Sequence, residues 1–133
     1  MLAPLMPRRA RPLLSIAVVV AALGAGACGE QGIQLSDDDP NYAGAEIFVE
    51  RCSGCHTLEA AGTQGSATDP NDREYVDGPN FDTRVEDVPG VLYAIRNGGF
   101  SSGPMPQDIV VGEQAEQVAR FVAENAGGEA AGG

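Results

Sequence analysis

The sequence holds no lysine, no tryptophan and a single histidine, His56. A lone histidine excludes two-histidine ligation of a metal by one chain, and the missing lysine removes the ammonium side chain as a ligand. Of three cysteines, Cys28, Cys52 and Cys55, only the last two stand near the histidine, so no second Cys/His pair completes a four-ligand zinc site. Aromatic residues are sparse, seven after Cys28. A small domain with so few large side chains buries little surface and calls for a staple or a cofactor. The main apolar run, Leu13 to Leu23, is shorter than the ~18 residues of a spanning helix. Positive charge is scarce as well. Beyond Cys28 there are nineteen acidic residues against five arginines, a net −14, which repels nucleic acid and anionic head groups.

The first 27 residues have the layout of an export signal. Arg8, Arg9 and Arg11 precede the apolar run, and small residues Gly24-Ala25-Gly26-Ala27 follow it. Cys28 comes next, in a setting that resembles a bacterial lipoprotein cleavage site, although Ala25 stands where leucine is usual. Residues 1–27 are therefore expected to be a signal peptide, with Cys28 lipidated and the chain held at the outer side of the cell membrane. An uncleaved anchor, or ordinary cleavage leaving a free thiol, are the other readings of this segment. Residues 28–41, with Asp37-Asp38-Asp39-Pro40, read as a flexible acidic tether. Residues 42–126 form the single domain, and the Gly/Ala-rich 127–133 a disordered tail.

The domain carries Cys52-Ser53-Gly54-Cys55-His56. A C-x-x-C-H run signals covalent attachment of a c-type haem. The spacing lets two thiols reach the vinyl groups of one haem edge, and the next residue offers an imidazole as the proximal iron ligand. A thioredoxin-like couple would sit beside a βαβ pattern that is missing here, and a plain disulfide is the remaining reading. If Met1 and Met6 leave with the leader, Met105 is the one methionine available as distal ligand. Pro104 and Pro106 restrict the backbone on either side of it, which suits a thioether held in place.

Three helices are predicted. Ala43 to Arg51 carries Ala45, Phe48 and Val49 on one face, with Asn41 as N-cap. Asp87 caps Val88 to Asn97, whose buried face is Val91, Leu92 and Ile95; Asn97-Gly98-Gly99 ends it. Gln114 to Glu124 buries Ala115, Val118, Ala119 and Val122, with Phe121 at the margin. Gly44 should allow the first and last helices to approach, against Ala115 or Ala119. Residues 59–77 form a long loop rich in turn formers, whose acidic residues do not match a calcium-loop spacing. Tyr75 is placed either back on the haem edge or as a pin for this loop.

In this order the pieces resemble a class I monohaem cytochrome c. Gly44-Ala-Glu-Ile-Phe48 and Phe121 are similar to that family's crossing helices, Gly78-Pro79-Asn80-Phe81 to its Gly-Pro-Asn-Leu turn, Ala94 to Gly98 to its Ala-Ile-Arg-Asn-Gly pattern, and Met105-Pro106 to its Met-Pro. The resemblance implies an all-α fold of a few short helices wrapped around one covalently bound haem c. It implies Cys52 and Cys55 as thioether attachments, His56 and Met105 as iron ligands, and the Pro79 carbonyl as acceptor for the His56 ring N–H. Tyr93 and Arg96 are candidates to reach a haem propionate.

Both axial positions filled points to an electron carrier and not an enzyme. The expected partners are redox proteins, donor and acceptor, with a basic docking face, and the membrane through the lipid anchor. No nucleic-acid partner is expected, and the chain should be a monomer. The alternatives are a haem subunit of a larger oxidase or dehydrogenase complex, or a haem enzyme or gas sensor with an open iron position.

Overall fold

The computed structural model describes residues 31–127. The expected signal peptide, the lipidated Cys28 and all but the first residue of the tail lie outside the described residues. The order of elements is α1 (Tyr42–Arg51), strands β1 (Thr57–Leu58) and β2 (Thr63–Gln64), short 3-10 turns at Glu59–Ala61, Pro70–Asp72 and Phe81–Thr83, then α2 (Val88–Asn97) and α3 (Gly112–Asn125). The helices agree with the sequence expectation to within two residues at each end, the usual uncertainty of a helix terminus.

Local chemistry accounts for the ends of α2. Asp87 Oδ1 accepts the Gly90 N–H at 2.8 Å, and Pro89 lies in the first turn, where its missing donor costs nothing. Gly98 closes the helix in the left-handed region, φ 72°. At α1 the expected cap differs. Asn41 occupies the cap position but its side chain makes no capping bond. Its amide instead donates to Glu124 Oε2 at 2.6 Å, which ties the start of α1 to the end of α3.

The core forms where α1 crosses α3. Phe48 and Phe121 are almost fully buried and meet edge to face, 5.6 Å between centroids. Leu58, Val118 and Val122 complete the largest buried side chains. Gly44 is at the crossing, but its neighbour is the Gln117 backbone and not Ala115 or Ala119. A Cβ there would strike Gln117 O and lie 2.8 Å from Phe121 Cβ. Backbone cannot swing aside as a side chain can, so Gly44→Ala is expected to lower holoprotein stability by about 1–3 kcal/mol. Thermal unfolding followed by circular dichroism checks this; an unchanged Tm would mean the helices are less closely apposed.

Part of the expected tether is fastened down. Gln34 N donates to Ala60 O at 2.9 Å, and Ile33 and Leu35 pack against the core. Two apolar side chains in an acidic segment are enough to dock it.

The 59–77 excursion is held by its own side chains. β1 and β2 pair antiparallel, Thr57 with Gln64 and Leu58 with Thr63. Buried Thr63 accepts from Leu58 N and donates to His56 O, and Thr57 Oγ1 donates to Ser66 O at 3.0 Å. Asp77 Oδ2 accepts from Ala67 N and Glu74 N, and these two bonds hold its carboxyl below the usual carboxylate range. Tyr75, by contrast, is 79% exposed, so it neither pins the loop nor turns inward.

Candidate functional site: one cavity beneath the Cys-x-x-Cys-His turn

A cavity of about 450 Å³ opens between the turn that ends α1, the Gly78–Phe81 segment, the inner face of α2 and the Met105 loop, with Val118 and Val122 of α3 at its base. Its volume falls in the range of cofactor pockets, and its wall is mainly apolar with a few convergent polar groups. Cys52, Cys55, His56, Pro79 and Met105 all line it. The fold therefore brings these five sequence-nominated residues to one place, across a span of chain from 52 to 105.

Each is positioned by its element. Cys52 is the C-cap of α1, its N–H donating to Phe48 O at 2.8 Å. The next turn is closed by Cys55 N and His56 N, both donating to Cys52 O. Cys55 is exposed and Cys52 half-buried. Burial, then the neighbouring Cys55 thiol, pushes the Cys52 thiol up to about 12. Gly65 backs this turn: a Cβ there would strike Ser53 O and come within 2.8 Å of Cys55 N.

His56 is 9% exposed, and its Nδ1 lies 3.1 Å from Pro79 O. A carbonyl only accepts, so Nδ1 carries the proton and Nε2 keeps its lone pair free for a metal. Burial lowers the imidazole pKa, and the Pro79 bond opposes that only in part, so the neutral form that a ligand requires is favoured. The Gly78 backbone is pressed against the same ring; a Cβ there would collide with Cε1 and lie 2.6 Å from Nδ1. Gly78 N also donates to Cys55 O at 2.7 Å, joining the Gly-Pro segment directly to the Cys-x-x-Cys-His turn.

Met105 is half-buried and lines the cavity from the loop after α2. Gly98 lets it approach: a Cβ there would be 2.8 Å from Met105 O, whereas one on Gly99 would make only ordinary contact, 3.9 Å from the Met105 sulfur. The sequence identifies these glycines as a helix stop. The second role of Gly98, clearing space for the methionine loop, depends on a tertiary contact that no local pattern encodes.

Two nominated residues lie elsewhere. Tyr93 is 52% exposed and stacks on Phe100 at 5.1 Å, and neither Tyr93 nor Arg96 lines the cavity. Arg51, Arg73 and Arg84 do, a trio that nothing in their local sequence distinguishes. Arg84 pairs with the largely buried Glu86. Among the described residues there is no cluster of three or more His, Cys, Asp or Glu that would hold a separate metal ion.

The donor set is two thiols, one neutral imidazole nitrogen and one thioether around a mainly apolar cavity, with three arginines in its wall. That set fits a covalently attached haem with two axial ligands and arginines available to its carboxylates. Comparison with known proteins gives the same direction. Residues 42–126 match the family described as Cytochrome c. Among solved structures, the chain is similar to the c-type cytochrome SorU from Sinorhizobium meliloti, with 36% identity over 66% of this chain and 92% of that one, at a TM-score of 0.52. A search of curated proteins returned no match.

Proposed function

The chain belongs to the cytochrome c family, with its mostly helical fold, its covalently bound haem c and its haem-based electron transfer, and from that premise we propose that it is a single-haem carrier with both axial positions filled. The observation that carries the proposal is the convergence of Cys52, Cys55, His56 and Met105 on one cavity. In this reading Cys52 and Cys55 would hold the haem through thioethers at its two vinyl positions. His56, oriented through Nδ1 by Pro79 O, would offer Nε2 to the iron. Met105 would offer its thioether, and Arg51, Arg73 and Arg84 would be available to the carboxylates of the group. Bound haem supplies a one-electron ferrous/ferric couple, whose potential is raised by His/Met ligation.

The chain's own residues do the rest. Phe48, Val91, Ile95, Val118 and Val122 exclude water from the cavity. His56 and Met105 would hold the group in one arrangement in both oxidation states. With no second histidine in the chain, the apolar wall offers no imidazole to act on a bound peroxide or nitrite, which supports a carrier over an enzyme.

Members of this family are generally exported to the periplasm, and the leader and Cys28 support a lipid-anchored chain on the outer side of the membrane. The strongly acidic composition supports redox partners with a basic face. Monomeric behaviour follows in the same proposal.

Protein matured in a host that attaches haem tests the site. The expected result is a low-spin spectrum in both oxidation states, a weak far-red methionine-to-ferric band, and colour that stays with the polypeptide through acid–acetone. A high-spin spectrum with peroxide turnover would overturn the carrier reading. For the anchor, clickable palmitate should label the wild type and be lost in Cys28→Ser; equal labelling would remove Cys28 from the proposal.

A further inference from the structure

The Phe81 ring stacks on the His56 imidazole, 4.8 Å between centroids and 10° between planes. No other aromatic neighbour of His56 is parallel to it among the described residues: Phe48 is tilted by 55° at 6.4 Å. This contact does something the Pro79 hydrogen bond cannot. A single N–H···O bond fixes the direction of the Nδ1 atom but tolerates rotation of the ring about that direction. A plane is defined only when a face is also held. Phe81 holds a face, and the Gly78 backbone lies so near the same ring that a Cβ built there would come 2.8 Å from Nε2.

Phe81 is itself held by four contacts. Its carbonyl accepts from Gly127 N at 2.7 Å, beyond the end of α3. The 3-10 turn it opens is capped by Asn80 Oδ1, which accepts from Asp82 N at 2.9 Å. Asp82 Oδ1 in turn accepts from Glu59 N at 2.7 Å. Its ring meets Phe48 edge-on at 6.1 Å. The stack is thus part of a braced wall.

We infer that Phe81 is a positioning residue that sets the rotational plane of the His56 imidazole. The inference rests on His56 being an iron ligand, as proposed above. If it is, the orientation of the ring decides how the two in-plane directions of a bound haem differ electronically. That difference appears in the g-values of the ferric protein and in the spread of its haem-methyl proton shifts. Neither depends on global stability.

The test uses matured full-length protein. A low-spin wild-type spectrum with His/Met character first establishes the ligand reading independently. Phe81→Leu keeps an apolar side chain but removes the flat face; Phe81→Tyr keeps the face. The expected result is unchanged low-spin ligation in both, altered g-values and methyl-shift spread in Phe81→Leu, and wild-type values in Phe81→Tyr. Phe81→Leu with wild-type g-values and shifts, whatever its Tm, overturns the inference. So does Phe81→Tyr departing as far as Phe81→Leu. Should Phe81→Leu fail to mature, the reduced wild-type protein decides: cross-peaks between His56 and Phe81 ring protons are expected, and their absence overturns the stack.

Discussion

The double substitution Cys52→Ala, Cys55→Ala is expected to leave the polypeptide largely unfolded. Among the described residues thirteen apolar side chains form the buried core, and five of them are alanine. The large ones, Phe48, Val118 and Val122 among them, face the cavity of about 450 Å³ as well as each other. If that space stayed dry and uncollapsed, its cost at roughly 24 cal/mol per Å³ would be ~10 kcal/mol. The whole stability of a domain is ~5–15 kcal/mol. Hydration would relieve part of the cost while leaving apolar walls against water, and collapse would relieve it only by moving the helices that define the fold. The covalent bonds also retain the group in the unfolded chain, which lowers the entropy of refolding around it. Far-UV circular dichroism of the double variant should therefore lose most of its helical signal. A near-native spectrum would show that the protein part of the core suffices.

Met105→Ala is expected to change the chemistry while sparing the fold. The side chain is half-buried and its loop is braced from elsewhere, with Asp108 N donating to Ile95 O at 2.8 Å. The cost in stability should stay near the ~2 kcal/mol of an ordinary truncation. The far-red band should vanish and the ferric iron should turn high-spin or take up an added ligand such as imidazole. The reduction potential should fall by a substantial part of the ~0.8 V over which axial ligands tune haem. Retention of the band would assign Met105 to packing alone. The outcome also separates carrier from sensor: wild type should exclude carbon monoxide from the reduced iron, and the variant should admit it.

Much of this arrangement was legible in the sequence because its parts are local. Asp87 and Gly98 bound α2 through chemistry that operates within four residues, and the apolar stripes of α1 and α3 follow from helical spacing. That Cys52, His56, Pro79 and Met105 would surround one space was implied by the resemblance of their motifs, taken in order, to one family. What could not be read were neighbours made by folding. The contact of Gly44 with the Gln117 backbone, the docking of Ile33 and Leu35 over the 59–61 turn, and the exposure of Tyr75 depend on where distant segments come to rest. Asn41 illustrates the competition: a good capping residue by type, it reaches across to Glu124 instead of its own helix. Phe81 was visible only as the last letter of a turn motif, and its stack on His56 needed coordinates.

The bond from Gly127 N to Phe81 O has a bearing on the order of events during biogenesis. The segment that receives the pigment is made before α3 and Gly127, yet its bracing comes from them, since Gly127 holds Phe81 and α1 finds its mate in α3. Until α3 is available, the segment made before it has no partner to close against. Attachment would thus take place on an open polypeptide that the maturation apparatus can reach, and the final helix would latch the finished product.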